Sequence, residues 1–185
     1  QILDWKSSDN IFAWNPGKTQ FKKKLRFYKN LAQKCDILIL NKEEAELFTG
    51  MIAPLVDGEM FANKAVFCKE NTTEKIFDTT LLGKKFLDYG IKQVIITDGK
   101  KGAQYFSAEH TNGLFIPQID MQKPVSTLGA GDSFSVGVVT ALINNLSVQK
   151  MLLSGSLNAG SVVQAFGAQN GLLSKEELEQ KLEKF

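Results

Sequence analysis

Short apolar runs alternate along this chain with segments of helical spacing. Ile11-Phe12-Ala13-Trp14, closed by Asn15-Pro16-Gly17, reads as a buried strand and a turn. Phe21, Leu25, Tyr28 and Ala32 then recur on one helical face, with Lys22, Lys23, Lys24, Arg26 and Lys29 crowding the same segment. A polyanion-binding face is one reading of those cations. A solvated helix surface is the stronger one, because the apolar stripe already assigns the opposite face to a core. Asp36-Ile37-Leu38-Ile39-Leu40 and Gln93-Val94-Ile95-Ile96-Thr97 are nearly all apolar, as central parallel strands should be. Ala103–Ser107 and Leu114–Ile116 flank Asn112-Gly113, a strong hairpin signal.

Between the strands the period changes from two to nearly four. Residues 42–48 begin a helix after Asn41, and Leu81, Leu82, Phe86 and Tyr89 form a stripe closed by Gly90. Phe134, Val138, Ala141 and Leu142 predict a helix over 131–145, followed by a second over 149–166. Ser174-Lys175-Glu176-Glu177 opens a capped terminal helix, 174–184. The expected fold is α/β: a mainly parallel sheet from strands at 11–14, 36–40 and 93–97, a C-terminal hairpin edge, and helices on both faces. Residues 51–75 break the pattern. Pro54, Asp57-Gly58 and Asn71-Thr72-Thr73 punctuate them, 59–69 reads equally as helix or strand, and the stretch is expected to be an insertion.

Composition narrows the class without naming a function. A chain of 185 residues suffices for one domain with a real core. Hydrophobics at 43% and charged residues at 23% suit a globular protein in water. A net charge of +2 is too small to argue for nucleic acid. Cys35 and Cys68 form no C-x-x-C pair, and one enters a buried strand, so a reduced, cytoplasmic protein is expected. No apolar run approaches membrane-spanning length. His110, the one histidine, falls in the hairpin turn, where an exposed loop residue is expected rather than a catalyst.

The chemistry gathers in Ser126-Thr127-Leu128-Gly129-Ala130-Gly131-Asp132-Ser133-Phe134. A small-residue loop opening into a helix leaves backbone N–H groups converging at the positive end of the helix dipole, which makes an anion site. Asp132 would repel an anion there. It makes sense as the group that takes a proton from a hydroxyl attacking phosphorus. The dinucleotide fingerprint would need a glycine where Phe134 stands, and the P-loop would need one at Phe12. On spacing alone, an ordinary glycine-capped helix start is an equal reading. Asn41 and Glu44 likewise read as an N-cap and its N3 partner.

Gly129-Ala130-Gly131-Asp132 resembles the G-A-G-D signature of the ribokinase family of carbohydrate kinases, also called the PfkB family. Asn41-Lys42-Glu43-Glu44 resembles its N-x-x-E motif, and Thr97-Asp98-Gly99-Lys100-Lys101-Gly102 its nucleotide loop. Asn158-Ala159-Gly160 with Gly167-Ala168-Gln169 resembles its purine-side helix and loop. The motifs stand in the family's order, from about residue 11 to the end.

The resemblance implies ATP-dependent phosphotransfer to a hydroxyl of a sugar, nucleoside or related small molecule. Asp132 would be the base, and backbone N–H groups of Gly129, Ala130 and Gly131 the anion hole. Asn41, Thr97, Gly99, Gly102 and Asn158 would bind the nucleotide, and Glu44 would hold Mg2+. A sugar or nucleoside acceptor is the expected partner, with a homodimer left open and neither nucleic acid nor membrane expected. Ser126-Thr127-Leu128 stands where the family often has Asp-Thr-Thr, so activation by a monovalent cation does not carry over. The family's usual chain is roughly half as long again, with its acceptor-binding residues in an N-terminal half. The chain is therefore expected to be the C-terminal portion of such a kinase, inactive by itself. A non-catalytic nucleotide-binding or scaffold domain is the rival from another class.

Overall fold

A computed structural model of the chain describes residues 6–7, 10–66, 75–119 and 124–185. Cys68 and the Asn71-Thr72-Thr73 stretch lie outside them. The chain divides into two compact units, Gln1–Pro117 and Gln118–Phe185.

The first unit is built on a five-stranded sheet. Its strands are β1 (Ala13–Trp14), β2 (Ile37–Asn41), β5 (Gln93–Thr97), β6 (Ala103–Ser107) and β7 (Leu114–Ile116), in that spatial order. β1, β2 and β5 pair in parallel, and the β6–β7 hairpin extends the sheet antiparallel, as expected. Helices α3 (Lys42–Thr49) and α4 (Thr80–Asp88) return the chain between strands. Leu38, Leu40, Val94, Ile96 and Phe106 build one core with Phe48, Leu82 and Phe86. The alternate residues Ile37, Ile39, Ile95 and Tyr105 are buried too, so the sheet is covered on both faces. Phe48 anchors an aromatic cluster, its ring 5.3 Å from Phe21, 5.7 Å from Trp14 and 5.9 Å from Tyr28.

The expected helix through Phe21 and Ala32 is broken. The chain forms α1 (Lys18–Phe21), a 3-10 turn (Leu25–Tyr28) and α2 (Lys29–Ala32). Lys24 interrupts them at φ 59°, ψ 156°, outside the helical region. The apolar stripe survives the break: Phe21, Leu25 and Ala32 are buried and Tyr28 half-buried. The first strand is shorter than expected, since only Ala13 and Trp14 join the ladder.

The stretch expected to be an insertion has regular structure among its described residues. β3 (Leu55–Asp57) pairs antiparallel with β4 (Lys75–Phe77), and residues Gly58–Lys64 form a 3-10 helix. Phe61, Ile76 and Phe115 make a small second core. Gln104 ties the ribbon down: its Nε2 donates to the Phe77 carbonyl at 2.6 Å, and its Oε1 accepts from the Thr79 N–H at 3.2 Å.

Asp36 stitches the N-terminal edge of the sheet. Its carboxylate accepts from the Phe12 N–H at 2.8 Å and from Lys92 at 2.7 Å, and Lys6 lies 3.0 Å away. Burial alone would raise this carboxyl. Lys92, the Phe12 N–H and Lys6 together outweigh burial and hold it below the ordinary range. Next to it Cys35 is fully buried, and burial pushes its thiol up to about 12.

The second unit pairs α5 (Ala130–Ile143) with α6 (Val148–Val163), and α7 (Lys175–Leu182) packs on α6. The small residues of α6 serve close packing. A Cβ on Gly155 would come within 2.9 Å of the Phe134 ring.

Candidate active site

Five of the sequence-predicted residues meet at one edge of the first unit. Asn41 and Thr97 are register partners at the C-terminal ends of the parallel strands β2 and β5. Ligands of open α/β sheets bind outside such ends. Beyond Thr97 the chain makes a tight turn, in which the Lys101 N–H donates to the Asp98 carbonyl at 3.0 Å and the Asp98 N–H to the Gly102 carbonyl at 2.8 Å. Gly102, at φ 100°, lets this turn close against β7. A Cβ there would stand 2.2 Å from the Ile116 carbonyl oxygen. Gly99 is exposed at the tip.

Asn41 and Glu44 form the capping box as well as standing at the strand edge. Asn41 Oδ1 accepts from the Glu44 N–H at 2.8 Å, and Glu44 Oε2 accepts from the Asn41 N–H at 2.9 Å. Glu44 Oε1 accepts no hydrogen bond among the described residues. No group of three or more His, Cys, Asp or Glu that could hold a metal occurs among them either. A cation here would draw most of its ligands from outside the protein, and one free carboxylate oxygen fits magnesium carried on nucleotide phosphates.

Sequence reasoning did not single out the charges around this edge. Lys42 is buried, its Nζ 3.1 Å from Glu46 and 3.4 Å from Glu43. Asp98 has a buried carboxylate oxygen with no hydrogen-bond partner. Burial pushes this carboxyl above the ordinary range, Lys101 opposes the shift and Glu43 adds to it. A carboxylate directly after a strand end was the available signal.

The second unit carries the 126–134 loop. Gly129 caps α5 in the left-handed region at φ 80°, where a Cβ would sit 2.5 Å from the Ala168 carbonyl oxygen. The Ser133 N–H donates to the Gly129 carbonyl at 2.9 Å, and the Ser133 hydroxyl donates to the same oxygen at 2.8 Å. The Ala130 N–H turns back to the Thr127 carbonyl at 3.3 Å. Among the described residues nothing accepts from the N–H of Gly131 or Asp132. A Cβ on Gly131 would meet nothing within 4 Å, so the helix end is open. Asp132 is exposed, and its carboxylate accepts no hydrogen bond from a described residue. Open donors and a free carboxylate thus share the first turn of one helix. The open donors include Asp132 itself, while Ala130 is engaged internally.

Asn158 lies in the second unit, on α6. It is 3% exposed and both ends of its amide are used: Nδ2 donates to the Ser133 carbonyl at 2.7 Å, and Oδ1 accepts from the Leu173 N–H at 3.1 Å. It braces α5 and the segment before α7. His110 is half-buried rather than exposed, its ring 5.9 Å from Tyr105 in an edge-on contact.

The family model of the pfkB family carbohydrate kinases matches residues 16–175. The chain belongs to this family. Among pfkB relatives, 5-dehydro-2-deoxygluconokinase of Geobacillus kaustophilus is 26% identical over 171 residues, which cover 92% of this chain and 44% of that protein. The crystal structure of ribokinase from Thermotoga maritima superposes with a TM-score of 0.69 at 24% identity, over 98% of this chain and 52% of that one. Arabidopsis thaliana ribokinase, complexed with ribose and ATP, superposes with a TM-score of 0.65 at 25% identity, over 85% and 43%. The fold is the ribokinase-like α/β fold. The chain spans about half the length of the pfkB relatives it matches. No helix among the described residues is long and apolar enough to cross a membrane.

Proposed function

We propose that this chain supplies the nucleotide and catalytic part of an ATP-dependent kinase acting on a hydroxyl of a sugar or nucleoside. The observation that carries the reading is the first turn of α5, which holds both the Gly131 and Asp132 N–H groups and the Asp132 carboxylate, none of them partnered among the described residues. Family membership and the ATP bound to the Arabidopsis ribokinase support it.

In this mechanism Asp132 accepts the proton of the acceptor hydroxyl as its oxygen attacks the γ-phosphorus. The bond from phosphorus to the β-phosphate oxygen breaks, and ADP leaves with the electron pair. The N–H groups of Gly131 and Asp132, at the positive end of a 14-residue helix, stabilise charge on the transferred group. Asn41, Thr97, Gly99 and Gly102 form the edge that orients the phosphates, and Asn158 acts indirectly by holding α5. The free oxygen of Glu44 would help hold a magnesium ion, which would supply charge neutralisation for the phosphates.

The test is ADP release from ATP with ribose, 5-dehydro-2-deoxygluconate and nucleosides as acceptors, in the full-length protein, wild type and Asp132→Asn. The variant should lose about 10²–10⁴ in kcat and keep its ATP affinity, as for removal of a general base. Near-normal turnover would overturn the assignment of Asp132. Binding of ATP without turnover on any acceptor would favour the non-catalytic nucleotide-binding domain.

A further inference from the structure

Two lysines lie against one aromatic ring at the nucleotide edge. Lys42 Nζ and Lys101 Nζ are each 4.4 Å from the centroid of Phe77. The two cations are otherwise unlike. Lys42 is buried and neutralised by Glu46 and Glu43. Lys101 is half-exposed and takes part in no ion pair among the described residues. Among the described residues its ring contact is with Phe77, and it acts electrostatically on Asp98, which has a buried oxygen with no hydrogen-bond partner.

Phe77 reaches this point through the β3–β4 ribbon. It ends β4, its carbonyl is held by Gln104, and the next residue is tied back by the Asp78 N–H donating to the Pro54 carbonyl at 2.8 Å. The ribbon thus delivers an aromatic face to the Thr97–Gly102 turn. A ring face holds an ammonium group by its quadrupole while occupying none of its three N–H donors. Lys101 is therefore fixed in direction and free in hydrogen bonding, in the same turn as Gly99 and Gly102 and one strand from Asn41. Lysines rest on rings elsewhere in the chain, Lys23 on Phe27 at the same 4.4 Å, so the contact alone does not set Lys101 apart; its place in the turn does. This one is oriented by a residue that comes from outside the common sheet.

We propose that Lys101 is a further phosphate-binding residue for the nucleotide, and that Phe77 of the β3–β4 ribbon is the residue that positions it. The proposal rests on the ATP-dependent reading above. It adds a role for the β3–β4 ribbon, and it selects the terminal phosphates as the groups recognised.

Titration calorimetry of the intact protein with MgATP and with AMP tests it. Lys101→Met should weaken MgATP about tenfold and leave AMP within twofold, while Lys101→Arg restores most of the ATP affinity. Phe77→Leu, which keeps apolar volume and removes the ring face, should weaken MgATP about threefold with the same indifference toward AMP. Added in Lys101→Met, it should have no further effect on ATP. A merely structural role for either residue would move both nucleotides together. If the wild type binds MgATP and Lys101→Met binds it equally well, the proposal falls while the kinase reading stands. If Phe77→Leu weakens ATP as much without Lys101 as with it, the positioning role falls. A wild type that binds neither nucleotide overturns both readings.

Discussion

Asn41 and Glu44 hold one another at the end of β2, each side chain accepting the other's backbone N–H within 2.9 Å. One carboxylate oxygen serves the helix and the other is open. The two uses of Glu44 can therefore be separated.

Glu44→Gln keeps an acceptor for the Asn41 N–H and removes the negative charge. It should melt within about 0.5 kcal/mol of wild type and need more magnesium for half-maximal ATP binding. Asn41→Ala removes the cap acceptor and should cost about 1 kcal/mol. Thermal melting with a magnesium titration checks both. Equal magnesium response in Glu44→Gln would restrict Glu44 to capping.

Asp36 should govern acid stability of the first unit. Its folded carboxyl is held below the unfolded value of about 3.9, so its contribution is present above that pH and lost as pH falls through the lower folded value. Asp36→Asn should cost about 1–2 kcal/mol at pH 7, the usual worth of hydrogen bonds to a charged acceptor. The gap to wild type should narrow below about pH 4. Urea midpoints at pH 7 and pH 3.5 measure it, and a gap independent of pH would contradict the charge-based account.

Gly102→Ala should be severe for two reasons that add. The backbone is in the left-handed region, and the new methyl would meet the Ile116 carbonyl oxygen. A loss of about 2–3 kcal/mol is expected from strain of this kind. Weakened ATP binding should accompany it, because the turn that closes on β7 is the one that carries Lys101. Denaturant unfolding alongside nucleotide titration reads both effects.

Much of the sheet was legible because five-residue apolar runs such as Gln93–Thr97 have few alternatives to a buried strand. The hairpin turn at Asn112-Gly113 and the capping box at Ser174 are local devices, written in two to four adjacent residues. The break at Lys24 is not local. Periodicity saw an unbroken stripe, but the chain makes three short turns that bring Phe21 and Tyr28 edge-on to Phe48. At the candidate site, the motifs located Asp132 and the Asn41–Thr97 edge. They could not reveal that Asn158 has both amide ends occupied or that Ala130 bonds to Thr127, since either needs a partner far along the chain or a specific backbone angle. Phe77 was silent for the same reason: its place depends on Gln104, 27 residues away.

Cys35 gives the first unit an internal clock. The Cys35 thiol has no exposed surface and burial pushes its ionisation up to about 12, so it stays protonated at neutral pH and out of reach of reagents in the closed sheet. Alkylation at this position must wait for the strands to part. The rate at which Cys35 becomes labelled therefore reports how often the junction of β1, β2 and β5 opens, and a nucleotide that steadies the far edge of the same sheet would be felt there as a slower tick.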